Sequence, residues 1–240
     1  IGARTMDWNG PLESFHHRDE NTTTDFDDQA LGGIFGDGNI ILKYLYENAG
    51  LGTGSRIFFG GGFSFPSNSV LKSSPFIDID DEEGVDAPHR HFSLSDGTYK
   101  AQFEFQYFIK RKTNPMFYGV TINTAYPIGE SEFGFKPGNS YTLVFSSIFG
   151  GNSKLKFLPI GYSLGLALLR SEVAYWEDVE SPNSESVVIA PSIGCMWSTS
   201  FGGISLNIRK PYLFSGAIGV LENELDNKAD MIEISLGYRT

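Results

Sequence analysis

The sequence holds four histidines, and they fall into two pairs, His16-His17 and His89-x-His91. Imidazole titrates near neutrality and is the commonest metal ligand. An H-x-H pair on an extended chain points both rings to one side, which suits Cu²⁺ or Zn²⁺. Asp19, Glu20 and Asp86 lie close enough in sequence to add oxygen ligands. The competing reading is two solvated, histidine-bearing loops. Asp78, Asp80, Asp81, Glu82, Glu83 and Asp86 form an acidic run. Ca²⁺ takes several carboxylate oxygens around a glycine turn. Gly84 comes one place late for such a loop and no glutamate closes it, so a solvated acidic loop fits better.

Catalytic chemistry finds little support. A hydrolase needs a histidine beside an aspartate or serine, and only His89 with Asp86 or His16 with Asp19 could be forced into that role. There is no G-x-S-x-G element, no phosphate-binding loop and no C-x-x-C. The single cysteine, Cys195, excludes an internal disulfide and alternates with Ile193 and Trp197, as a structural thiol does. We expect no enzyme and assign no catalytic residue. The net charge of −11 argues against a nucleic-acid partner.

The elements that must position these residues are strands. In YKAQFEFQYFIKRK, residues 99–112, Ala101, Phe103, Phe105, Tyr107 and Ile109 alternate with Lys100, Gln102, Glu104, Gln106 and Phe108. A period of two is a strand with one apolar and one polar face. From residue 39 onward eight more segments carry the same period, beginning NIILKYLYEN, RIFFGGGFSF, FYGVTINTAYPI, SYTLVFSSIF, FLPIGYSLGLALLR, SVVIAPSIGCMWS, GISLNIRK and MIEISLGYR. Residues 1–38 form an irregular polar N-terminal segment, with residues 39–240 as the β-structure. No helical period is convincing, and no apolar run is long enough for a transmembrane helix.

The connections alternate between short and long, the longest running from Pro66 to Asp96. Outer-membrane barrels pair short periplasmic turns with long extracellular loops, and single-chain bacterial examples have an even strand number. The expectation is an all-β, antiparallel, up-and-down transmembrane β-barrel of about ten strands, within a range of eight to twelve. The strand before residue 39 lies in residues 1–38 or upstream of Ile1. A soluble sandwich would show the same alternation. Three features favour lipid: tyrosine and phenylalanine near strand ends, polar faces mixing both charges with amides, and segments of about 10 to 14 residues, which cross a bilayer when tilted.

FGDGNIILKYLY (residues 35–46), followed by RIFFGGGFSFPSN (residues 56–68), resembles the outer-membrane family called "meta-pathway of phenol degradation"-like. The resemblance rests on Gly36, Asp37, Leu42, Lys43 and Tyr44, then Gly60, Gly61, Gly62 and Pro66, with Gly97-Thr98-Tyr99 opening a later strand. It spans roughly residues 35–128 and implies an outer-membrane channel for small, aromatic or hydrophobic molecules, without catalytic residues.

On the polar strand faces, the expected lumen-lining residues are Lys43, Glu47, Arg56, Lys100, Gln102, Glu104, Gln106, Asn207, Arg209, Glu233 and Arg239. Arg170 and Glu172 are expected among the interior charges, and Gly161, Ser163, Gly165 and Ala167 form a small-residue stripe that leaves space. The expected function is a channel or transporter for small solutes in the outer membrane of a Gram-negative bacterium. Its partners are the lipid bilayer and a solute, with no cofactor. One alternative is a non-conducting accessory barrel contacting protein partners in a larger outer-membrane complex. Another is a barrel that captures a divalent metal (Cu, Zn or Ca) at extracellular loops through His16, His17, His89 and His91. On the last reading, replacing His89 and His91 together by Ala weakens Cu²⁺ or Zn²⁺ binding at least tenfold in a titration; unchanged affinity removes it.

Overall fold

The computed structural model of the protein describes residues 36–70, 94–150, 159–181, 184–216 and 232–239. Within them the chain is all-β and contains no helix. In chain order the strands are β1 (Gly38–Asn48), β2 (Gly54–Phe65), β3 (Lys100–Lys110), β4 (Phe117–Pro127), β5 (Phe135–Lys136), β6 (Ser140–Gly150), β7 (Gly161–Ser171), β8 (Tyr175–Trp176), β9 (Val179–Glu180), β10 (Ser186–Thr199), β11 (Gly202–Arg209), β12 (Tyr212–Gly216) and β13 (Glu233–Arg239). The main sheet is an antiparallel meander in the order β1-β2-β3-β4-β6-β7-β10-β11-β13. β12 continues along the side of β10 that β11 occupies, after an interruption at Lys210-Pro211, where Lys210 N–H donates to Pro191 O at 3.1 Å. All nine periodic segments of the sequence are therefore strands of one sheet.

The period of two sorts the side chains cleanly. One row of register partners reads Tyr44, Phe59, Phe105, Ile122, Leu143, Leu168, Ile189, Tyr212 across eight strands. Flanking rows carry Leu42, Phe103, Phe145, Leu164, Ile193, Ile208, Ile234 and Leu236 on the same face. Nothing among the described residues packs on this face: Leu42 is 79% exposed, Phe103 58%, Ile193 60% and Leu236 77%. Covering one such side chain is worth roughly 1.5–3 kcal/mol, so leaving ten of them in water would cost on the order of 15–30 kcal/mol, more than the net stability of a typical domain.

From β2 to β10 the opposite face is the more sheltered one. The buried residues of the long strands are Ser64, Gly161, Ala167 and Ala190, and all four lie on it. β1 and β13 are the two edges of the sheet, which is not closed into a barrel within the described residues. Odd-numbered positions in a meander share a direction, so β1 and β13, first and ninth in the path, run the same way.

The connections separate by length onto the two ends. The links β1–β2, β3–β4, β6–β7 and β10–β11 leave from one end of the sheet, and the links β2–β3, β4–β6, β7–β10 and from β12 to β13 from the other. The long-connection end is built up by a second, three-stranded sheet, β5-β8-β9. Trp176, which is buried, packs its ring 5.1 Å from Phe135 there. Ser131, Ala174 and Ser181 are buried beside that sheet, and Ser69, Val70, Ser95 and Thr98 are buried at the ends of the longest connection. Gly97 joins the two groups, because a Cβ there would stand 2.7 Å from Val70 and 2.8 Å from Ser131.

The glycines of β2 offer a test of which face is which. A Cβ on Gly62, on the polar face, would sit 2.0 Å from the Ile40 carbonyl oxygen, whereas Gly61, on the apolar face, has open space. Gly62→Val is expected to destabilise by about 3 kcal/mol and Gly61→Val by less than about 0.5 kcal/mol, read as shifts in the urea midpoint.

Candidate functional site: the polar wall of the sheet

Glycines let the first charged cluster form. Lys43, Gly60 and Glu104 stand in register on β1, β2 and β3. With no side chain at Gly60, Lys43 Nζ reaches across β2 to Glu104 Oε1 at 2.7 Å. Gln106 Nε2 donates to the same oxygen at 2.7 Å. Gln102 Nε2 donates to Asn39 Oδ1 at 2.8 Å. Three of the expected polar residues, Lys43, Glu104 and Gln106, thus form a small network in which the carboxylate, only 11% exposed, is charge-balanced, and Gln102 pairs separately with Asn39.

The other expected residues occupy separate places. Arg209 Nε donates to Glu233 Oε2 at 2.7 Å across a directly paired position, and its Nη2 binds the same oxygen. Asn207, two residues earlier, pairs with Gly194 and Ser235. Lys100 is ion-paired to Asp96 at the long-connection end. Arg56 donates to the carbonyls of Gly50 and Gly52, closing the 49–53 turn. Arg239 pairs in register with Gly203 near the short-connection end and is exposed.

Two residues depart from the sequence expectation. The register of β1 slips between Leu45 and Glu47, so Glu47 stands opposite Ile57 and accepts a hydrogen bond from the Ser55 hydroxyl. A β-bulge of this kind turns a side chain out of the row it would otherwise continue. Arg170 lies between Tyr141 and Val187 on the apolar face, in phase with Leu166 and Leu168. Its charge suggested an interior place, but the two-residue period was the stronger guide. Glu172 lies just beyond β7 and accepts from Asn139 Nδ2 at 2.7 Å. The stripe Gly161, Ser163, Gly165, Ala167 faces Met196, Gly194, Ser192 and Ala190 of β10.

Towards the short-connection end the same face becomes aromatic. The Phe108 ring stacks on Phe117 with centroids 5.1 Å apart, and Phe58 meets it edge-on at 6.5 Å. Phe108 lies over Gly119, where a Cβ would be only 2.2 Å from its Cδ1.

Between this cluster and the long-connection end lies a recess of about 160 Å³. Its wall is two adjacent register rows, Glu104-Asn123-Thr142 and Gln102-Ala125-Ser140, with Ile41 at its side. Asn123, Ser140 and Thr142 were not among the expected site residues. Their signal was the polar half of the alternation in FYGVTINTAYPI and SYTLVFSSIF.

His16, His17, His89 and His91 lie outside the described residues, as do Asp19, Glu20 and the acidic run 78–86. Among the described residues no group of three or more His, Cys, Asp or Glu side chains could hold a metal ion. No protein-family model, no curated protein and no solved structure matches this chain.

Lys43 and Glu104 are expected to couple by about 0.5–1 kcal/mol in a double-mutant cycle with Lys43→Met and Glu104→Gln, the lysine being half exposed. The same cycle between Lys43 and Glu233, which make no contact, is expected to show additivity within about 0.5 kcal/mol.

Proposed function

We propose that this chain is an outer-membrane β-barrel of a Gram-negative bacterium that passes small solutes along its polar face. The observation that carries the reading is the apolar face, which exposes large hydrophobic side chains on every strand of the main sheet and is interrupted by Arg170, while from β2 to β10 the polar face is the more sheltered one. A soluble sandwich buries that face against a second sheet; a membrane barrel turns it to acyl chains. Other features agree. A strand of 11 residues, such as β3, is about 36 Å long and at a tilt near 40° rises about 28 Å, close to the hydrocarbon thickness of a bilayer. Aromatic pairs on the apolar face, Phe65–Tyr99, Phe103–Tyr126 and Tyr126–Tyr141, gather near the long-connection end. Tyr118, Tyr162, Trp197 and Tyr238 occupy the other end. Arg170, on the lipid side next to Tyr141, sits where a long basic side chain reaches the headgroups.

In this reading the long connections are extracellular and the short ones periplasmic. Closing the sheet by antiparallel pairing takes an odd number of added strands, because its two edges run in the same direction. One strand from the chain preceding β1 makes ten. A second copy in the same membrane orientation offers β1 and β13 only parallel edges. The solute path then runs past the Lys43–Glu104 network and the recess to the Phe58, Phe108, Phe117 cluster, which offers aromatic or hydrophobic solutes a surface.

A second reading keeps the barrel but not the conduction. The same aromatic cluster and the Arg209–Glu233 pair narrow the interior, and the built-up end with β5, β8 and β9 offers a contact surface for protein partners. Planar-bilayer recording separates the two: unitary current steps are expected from a channel, and their absence from the purified, folded chain favours an accessory barrel. Membrane exposure has its own test. Leu166→Arg, in the middle of the apolar face, is expected to cost about 2–4 kcal/mol when unfolding is measured in lipid. A chain that is monodisperse in buffer without detergent overturns both readings.

A further inference from the structure

We propose that the recess on the polar wall is a binding subsite for a small, uncharged solute with neighbouring hydroxyl groups, of the size of a single sugar ring. The proposal rests on reading the polar face as a solute path. Two rows of side chains supply the chemistry. Asn123 offers an amide with two donors and an acceptor, and Ser140 and Thr142 offer hydroxyls that both donate and accept. All three are half-buried, and none makes a side-chain hydrogen bond to the protein among the described residues. Half-sheltered polar groups without protein partners are matched by a ligand that brings both donors and acceptors.

Charge excludes ionic ligands. Glu104 is balanced by Lys43 and already accepts from Gln106, and Gln102 donates to Asn39. An ion entering the recess would lose water and meet no free opposite charge, so it is disfavoured relative to a neutral solute. Ile41 and Ala125 add apolar surface on the same walls, against which the C–H face of a polyhydroxylated ring can lie. A volume of about 160 Å³ limits the occupant to one ring.

Saturation-transfer NMR on the full chain in detergent micelles tests this with the neutral pentose xylose and its oxidised anion xylonate as probes. Xylose is expected to bind and xylonate to bind at least tenfold more weakly. Asn123→Leu is expected to weaken xylose binding about tenfold, since it removes at least two hydrogen bonds. Ser146→Ala, on the same face but outside the recess, is expected to change nothing. Thr142→Val is a second probe of the same wall should Asn123→Leu fail to fold. Equal binding of xylose by the wild type and both recess variants overturns the proposal, as does xylonate binding as tightly as xylose. Swelling of proteoliposomes in xylose reads the path separately. Binding that depends on Asn123 without swelling supports the subsite and overturns conduction, whereas swelling with binding indifferent to Asn123 and Thr142 overturns the subsite alone.

Discussion

The structure depends on one constraint: in each strand, neighbouring side chains leave the sheet on opposite sides. Nine strands obey it, and apart from the β1 bulge and Arg170 their large apolar side chains gather on one face from β1 to β13. A slip of one residue in any pairing would move that strand's Phe, Leu and Ile side chains to the sheltered side and expose its amides and charges. The few described apolar side chains that are buried, Val70, Ala167, Ala174, Trp176 and Ala190, form no conventional oily core. Three of them belong to the connections. Ladder hydrogen bonds and cross-strand contacts hold the sheet among the described residues.

Glycine placement shapes the polar wall. Gly60 clears the way for Lys43 to meet Glu104 two strands away. Gly119 gives Phe108 a place to lie flat and stack on Phe117. Gly165 and Gly194 admit Ser192 and Ser163 so closely that an added Cβ would stand 2.5 Å from each hydroxyl oxygen. The charge pairs and the recess are products of where side chains are missing as much as of where they are present.

The two ends differ in construction, and this bears on function. The short connections are tied by local backbone bonds, such as Arg111 N–H to Met116 O at 2.8 Å. The long ones build their own sheet, including a hairpin whose two turn residues, Glu177 and Asp178, both have positive φ. Glycine or asparagine usually fills such a turn. Here Glu177 N–H is held by the Gly134 carbonyl at 2.9 Å, which ties the strained turn to its neighbour. One end of the sheet is thus trimmed close and the other carries an organised platform.

The strands and the phase of each face were legible in the sequence, because a period of two over ten or more residues survives any tertiary context. The same period marked Gln102, Glu104 and Gln106 as neighbours on one face, and it placed Arg170 among leucines where its charge suggested otherwise. Tertiary structure alone decided which residues meet across strands. Register brings Lys43 to Glu104 and sets Asn123 beside Thr142, and no single segment encodes it. The bulge that turns Glu47 aside and the two-residue strands β5, β8 and β9 are too short to leave a period. Above all, alternation is identical for a core facing inward and one facing outward. Only the packing of whole strands shows that, among the described residues, the large side chains of the apolar face are left uncovered.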